Sequence, residues 1–367
     1  MPDEERFRAA VKGAERFLSA WHGQPSMRDR IAALAAATGE DERVDMYGSG
    51  ERIERLEQRI ADLLGKEAAV FMPTGTMAQQ IALRIWSERR GIRTVAFHPT
   101  CHLELHEQKG YQLLHNLHGR LVGDPNRLIT LPDLESIHEP VAALLLELPQ
   151  REIGAQLPDW DDLVAQTAWT RERGIALHLD GARLWETAPF YERTYAEIAG
   201  LFDSAYVSFY KGLGALAGAA LAGDAELIAE ARVWQRRHGG NIVTLHPFVV
   251  SAELALDERL SLIPAYVEHA RALAAALATV DGIEVVPDPP QSPLFHLLLR
   301  GDRERLSDAA LSLAEEEKIF LFADPNPTAS PGWQRHEVMV GDATLQLDPG
   351  EVRDLYTQIL ARTAVET

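Results

Sequence analysis

Cysteine is almost missing from this chain: Cys101 is the only one in 367 residues. That excludes an intramolecular disulfide framework and fits a reducing, cytoplasmic compartment. No apolar run approaches the roughly 20 residues that cross a bilayer, so no transmembrane helix is expected. The start, MPDEERFRAAVKGAERF, has early acidic residues and no apolar centre, and predicts no secretory leader. Positive charge is the scarce sign, with 36 Lys+Arg against 55 Asp+Glu and a formal net charge of -19. Such a balance argues against a nucleic-acid backbone or an anionic membrane as the main partner. Any anionic ligand therefore needs a local site. Low-complexity tracts and internal repeats are also missing. What the chain does have is apolar content, 46% hydrophobic with 25% charged, enough for a large core shared between two domains.

The pattern along the chain is that of an α/β protein. IERLEQRIADLLGKE puts Ile53, Leu56, Ile60, Leu63 and Leu64 on one helical face, and Gly65 is the stop. AAVFM reads as a strand ending in PTGT, after which MAQQIALRIW resumes helical spacing. TVAFH, AALLLEL, a helix from about Trp160 to Arg173 and IALHL continue the alternation. Short apolar strands separated by helices predict a mostly parallel sheet covered on both faces. DSAYVSFY and LAGAALAG are separated by too few residues for a parallel crossover, so they predict an antiparallel hairpin. Beyond Pro247 a long helical stretch precedes IEVVPD, FHLLLR, the helix RERLSDAALSLAEEE, IFLFAD, HEVMVGD and a final helix. This predicts a smaller C-terminal α+β domain. The expected division is 1–44 as a segment packing on the small domain, 45–248 as the large domain and 249–367 as the small one.

Three constellations bear on chemistry. PTGT, with Thr74, Gly75 and Thr76, lies where a strand turns into a helix, so its N–H groups and hydroxyls suit a phosphate. Taken alone it also reads as a turn with a Thr cap. HLDGARLW places Asp180 at the end of an apolar strand, where ligands bind in open α/β sheets, with Arg183 three residues on. Asp180 suits a protonated ring nitrogen and Arg183 a carboxylate, or the two form a structural ion pair. Lys211 in SFYKGLGALAG stands between two apolar strands, where an ammonium is costly unless it is neutral or consumed in a Schiff base. Anion cradle, strand-end carboxylate and later lysine follow the order needed for pyridoxal phosphate. GLGALA, residues 212–217, also matches a dinucleotide fingerprint, but a strand rather than a helix is predicted after it. His98, His102 and His106, with Glu104 and Glu107, invite a metal reading. Pro99 leaves only His102 and His106 on one face, too few for zinc, so no metal is expected and a flat imidazole over a cofactor ring is the simpler use. Cys101 is expected to be a passive neighbour.

With these residues in view, the chain resembles the threonine aldolase and β-eliminating lyase group of fold-type-I pyridoxal phosphate enzymes. The resemblance rests on MYGSGERIERLEQRIADLLGKEAAVFMPTGTMAQQIAL, PTCHLELHE, HLDGARLWE and FDSAYVSFYKGLGA. It implies an aspartate-aminotransferase-like fold with a seven-stranded sheet in the large domain. By the same likeness Thr74, Gly75 and Thr76 hold the phosphate and His102 stacks on the pyridine ring. Asp180 pairs with its nitrogen, Arg183 contacts a cofactor oxygen or the substrate carboxylate, and Lys211 forms the internal aldimine. Tyr47 and Gly48 match a loop near the entrance. The implied partners are a small amino-acid substrate and further copies of the chain, as a homodimer or homotetramer with shared active sites. The implied reaction is cleavage of a β-hydroxy-α-amino acid of the threonine or allo-threonine type to glycine and an aldehyde. β-Elimination, racemisation or transaldol chemistry on another amino acid is the alternative, and a cofactor-holding protein with little catalysis a further one.

The departures concern the substrate. Gln150, in ELPQRE, stands where the family has a histidine near the substrate hydroxyl, and Val243, in GGNIV, where it has an arginine. Met339, in HEVMVGD, replaces an arginine that holds the substrate carboxylate, with Arg335 nearby in sequence. Tyr210 precedes the lysine where a serine is usual.

Overall fold

The computed structural model describes residues 4–18, 22–23 and 25–363. It contains two units: Ser26–Ile153 with Leu157–Ser261, and Met1–Pro25 with Gly154–Gln156 and Leu262–Thr367. Among the described residues no helix is long and apolar enough to cross a membrane.

In the larger unit the first long helix, α1 (Glu51–Leu64), buries Ile53, Leu56, Ile60 and Leu64 along one stripe and ends at Gly65 in the left-handed region, φ 60°. That geometry is open to glycine and frees the chain to turn. Strand β1 (Ala68–Met72) follows, then helix α2 (Gly75–Arg90). β2 (Thr94–Phe97), β3 (His118–Leu121), β4 (Ala143–Glu147), helix α3 (Trp160–Glu172), β5 (Ala176–Gly181) and β6 (Ser204–Ser208) continue the alternation. β7 (Ala219–Gly223), helix α4 (Ala225–Arg237) and helix α5 (His246–Arg259) complete the unit. The strands form one seven-stranded sheet in the order β1-β7-β6-β5-β4-β2-β3. β7 runs antiparallel to both neighbours and every other pair is parallel.

Strand side chains alternate between faces, and the core splits accordingly. Phe71, Leu144, Leu179 and Val207 pack with Ile53, Leu56 and Ile60 of α1. Val70, Met72 and Leu221 pack with Ile81 and Ile85 of α2. Both faces are covered, and the parallel strands present their carboxyl ends together.

β6 and β7 pair antiparallel, with Ser208 opposite Ala219. The second strand begins at Ala219 rather than Leu216 because the preceding backbone is bonded within the loop. Gly214 N–H donates to Lys211 O, Ala215 N–H to Phe209 O, and Leu216 N–H to the Ser251 hydroxyl. Lys211 therefore sits inside a loop of residues 209–218. No helix follows GLGALA, as its rejection as a dinucleotide motif requires.

The smaller unit has a four-stranded antiparallel sheet in the spatial order 326–327, 333–339, 294–300, 283–286. Phe295, Leu297 and Leu299 meet Leu273, Leu313 and Tyr356 in its core. The N-terminal helix Glu4–Gly13 packs Ala10 against Leu311 and Ala314, and Arg16–Phe17 pairs with Ile319–Phe320. The run IFLFAD is a strand only over those two residues, since its partner is no longer.

Gly218 closes the lysine loop at φ 109°, and a Cβ there would stand 2.4 Å from the Phe71 ring. Gly218→Ala combines backbone strain with overpacking, a cost of about 2 kcal/mol or more. The expected result is a lower melting temperature by calorimetry together with weakened cofactor retention.

Candidate active site

The three sequence constellations come from different strands but share the carboxyl end of the larger sheet. After β1, Thr74 takes an extended backbone, φ -142° and ψ 149°, and its hydroxyl accepts from Met77 N–H at 3.2 Å. This caps α2, and the N–H groups of Gly75 and Thr76, which have no intrahelical acceptor, point out of the helix start. Their positive end favours an anion. Gly75 is buried against Tyr206 of β6, so closely that a Cβ would lie 2.1 Å from the phenol oxygen. A glycine is required here by Tyr206 rather than by the turn.

After β5, Asp180 is 1% exposed. Its Oδ2 accepts from Gln79 Nε2 at 2.7 Å and its Oδ1 from Ala182 N–H at 3.1 Å. Arg183 is buried, with its Nε 3.9 Å from Glu186 and without a hydrogen-bond partner. The Asp180–Arg183 ion pair weighed as an alternative does not form; each faces other groups.

After β4 comes a second carboxylate. Glu147 is the register partner of Asp180, and burial, followed by the Asp180 charge, pushes its pKa up to about 8. Its oxygens accept from Arg151 N–H at 3.1 Å and from the Gln150 amide at 3.3 Å. Gln150, in the place of the family histidine, is buried and its amide also donates to Thr100.

After β6, Lys211 is partly buried and its pKa is lowered, first by desolvation and then by the charge of Arg183, while Asp180 and Glu147 act in the opposite sense. An amine so placed loses its proton more readily, which is what a carbonyl-attacking lysine needs. Burial raises the pKa of Tyr210 beside it and of Tyr206.

After β2, the helix in PTCHLELHE spans only His102–Leu105 and begins at His102, not at Pro99. His102 Nδ1 lies 3.0 Å from Glu107 Oε1, and the other oxygen of that carboxylate accepts from Gln80 at 2.8 Å. The His106 ring centroid is 5.1 Å from that of His102, and its Nε2 is 3.0 Å from Glu152. His98 is bonded to Thr100 and to the carbonyls of Asp124 and Arg127, which makes it a structural residue. Among the described residues no three His, Cys, Asp or Glu side chains are grouped to hold a metal. Burial pushes the Cys101 thiol upward, away from nucleophilic reactivity. Tyr47 and Gly48 lie in a loop pinned by buried Asp45, which accepts from Gly48 N–H, the Thr244 hydroxyl and Leu245 N–H. Met339 lies in the smaller unit, buried with Leu294 and Ala155.

Sequence reasoning missed Gln79, Glu147 as an ionisable group, and Tyr206, and named Glu107 only in the metal reading. The pair Gln79-Gln80 carried a signal, being two amides in the first turns of an otherwise apolar helix. Both are nearly fully buried, and each is spent on a carboxylate of the site.

The donor set fits pyridoxal phosphate: free helix-start N–H groups for the phosphate, a buried carboxylate for a protonated ring nitrogen, an orphaned Arg183 Nε for an oxygen, and an amine of lowered proton affinity. Sheet order and site together define the fold-type-I class of pyridoxal phosphate enzymes. Residues 19–297 match the family model described as beta-eliminating lyase, and the chain belongs to that family. It is 42% identical to a structure from Exiguobacterium sp. 255-15, provisionally designated an aromatic amino acid beta-eliminating lyase/threonine aldolase. That match has a TM-score of 0.92 and covers 97% of this chain and 99% of that one. A provisionally designated L-allo-threonine aldolase of Listeria monocytogenes EGD-E is 38% identical, with a TM-score of 0.92 over 98% and 99% of the two chains. The low specificity L-threonine aldolase of Escherichia coli K12 is 33% identical over 228 residues, 60% of this chain and 66% of its own.

The raised Glu147 pKa fixes a pH dependence. The folded state keeps this proton up to about pH 8, whereas the unfolded chain releases it near the usual carboxyl value of about 4.3. Folded protein binds more protons in between, so stability falls as pH rises, at up to about 1.4 kcal/mol per pH unit. Glu147→Gln keeps one acceptor oxygen, for Arg151 N–H, gives up the contact from the Gln150 amide, and removes that dependence. Its melting temperature relative to wild type is expected to climb from pH 5 to 8 and level off above, by calorimetry.

Proposed function

We propose that the protein cleaves a β-hydroxy-α-amino acid of the threonine or allo-threonine type to glycine and an aldehyde. It is a pyridoxal-phosphate-dependent lyase of the family above, and the bound cofactor supplies an electron sink for charge developing at the substrate Cα. The observation that carries the reading is the convergence of Lys211, Asp180 and the Thr74–Thr76 helix start on one end of the sheet.

Thr74, Gly75 and Thr76 hold the phosphate. Asp180, kept in place by Gln79 and Ala182 N–H, keeps the pyridine nitrogen protonated, and Arg183 grips a cofactor oxygen or the substrate carboxylate. Lys211 would hold the cofactor through its side-chain amine, whose lowered proton affinity suits it to a carbonyl group. His102, fixed at Nδ1 by Glu107, covers the ring. His106, tethered to Glu152, takes the β-hydroxyl proton and so supports cleavage of the Cα–Cβ bond. Gln150 and Tyr210 narrow the choice of side chain. A second reading, β-elimination, is favoured by the amide of Gln150 at the position of a family histidine, since an amide takes up no proton.

The enzyme works in the cytoplasm as a homodimer or homotetramer with shared active sites. Supporting this, exposed Met46, Tyr47 and Val243 lie together, with Tyr47 N–H bonded to Val243 O. Analytical ultracentrifugation is expected to give a mass at least twice that of the chain.

Lys211→Ala is expected to lose the visible absorbance that the cofactor gains on joining a lysine, and to lose turnover. Wild type is expected to release glycine from threonine, allo-threonine or β-phenylserine. Pyruvate from serine or cysteine without glycine release would instead establish β-elimination.

A further inference from the structure

We propose that Arg151 holds the α-carboxylate of the amino-acid substrate, placing the carboxylate-binding cation on the turn after β4. The inference rests on the amino-acid lyase reading above.

An amino-acid substrate brings a carboxylate into a site already crowded with acid. Asp180 is buried at the site, and Glu107 and Glu152 each engage a histidine. A further anion is repelled unless a cation receives it. The positive groups acting most strongly on Lys211 are Arg183 and Arg151. Lys211 itself is consumed by the cofactor, and Arg183 is buried beside Glu186. Arg151 differs from Arg183 in access: about a third of its side chain, 33%, is exposed.

Its backbone is firmly set and its head group is oriented. Arg151 N–H donates to Glu147 Oε1 at 3.1 Å, at the start of the short helical turn Arg151–Ile153. Nη1 reaches Glu152 Oε1 at 3.2 Å, and the same oxygen lies 3.0 Å from His106 Nε2. The guanidinium thereby stands on the His102–His106 side of the site, one residue from Gln150. Its planar fork matches a carboxylate in two parallel hydrogen bonds. Neither an ammonium nor the Gln150 amide offers that match.

The test separates carboxylate recognition from cofactor binding. Cofactor-loaded wild type, Arg151→Gln and Arg151→Lys are titrated with glycine and, in parallel, with methylamine, which has the amine without the carboxylate. Cofactor absorbance is the readout. For Arg151→Gln the glycine dissociation constant is expected to rise about 10- to 100-fold, in line with loss of a charged hydrogen bond. Arg151→Lys should recover part of it, and methylamine should bind as in wild type. Unchanged glycine affinity, or an equal loss for methylamine, overturns the proposal. Wild type that takes up no pyridoxal phosphate would overturn the lyase reading itself, an outcome distinct from either.

Discussion

The site depends on one carboxylate buried inside a sheet. Asp180 is nearly inaccessible to water, and an acid so placed needs donors that replace the lost hydration. Gln79 and the Ala182 amide provide them. Its neighbours feel this acid. Glu147, opposite in the ladder, holds its proton to about pH 8, first because it is buried and then because Asp180 lies beside it. Lys211 feels the attraction of both acids, yet desolvation and Arg183 outweigh them and its proton affinity falls. Buried acids and an amine of lowered proton affinity thus coexist within one field.

Strand order turns this electrostatics into a site. β5 and β4 are adjacent and parallel, so Asp180 and Glu147 come into register without any loop having to carry them. β7, antiparallel and inserted between β6 and β1, turns the chain back after the lysine and fixes the loop 209–218 by its own backbone bonds. Tyr206 on β6 reaches across to Gly75, so the strand that leads to the lysine also abuts the phosphate turn. Contacts of this kind set the spacing between amine and anion cradle more tightly than either motif does alone.

Much of this was legible in the sequence because the cofactor residues sit at changes of periodicity. PTGT, HLDGAR and SFYKG each interrupt an apolar strand, and the alternation of short strands with helices dictates which end of the sheet they share. Less legible were the residues that act on those motifs from a distance. Gln79 reads as an ordinary helix residue until the fold carries it to Asp180, a partner 101 positions away. Glu147 reads as a strand-end acid, and its retained proton follows only from the neighbour that the register supplies. Tyr206 reads as a core aromatic, and nothing local ties it to Gly75. The loop after β6 was longer than its composition implied, since the apolar LAG at 216–218 spends its hydrogen bonds within the loop and on Ser251.

Of the substitutions that set this chain apart, Gln150 lies on the segment after β4. Gln150 cannot exchange protons as an imidazole does, and its amide is already committed to Glu147 and Thr100. Imidazoles lie instead on the segment after β2, where His102 and His106 each carry a carboxylate partner. Glu152 links that segment to Arg151, so the turn after β4 and the segment after β2 answer to one another through a single carboxylate. A change at Gln150 alone would leave this linkage without a counterpart proton donor. A histidine restored there would sit beside Glu147, whose retained proton would be drawn toward the new imidazole, altering the field at Asp180 and Lys211 together. A change on the turn after β4 would for that reason be felt at Asp180 and Lys211, through the two carboxylates near the ends of β4 and β5.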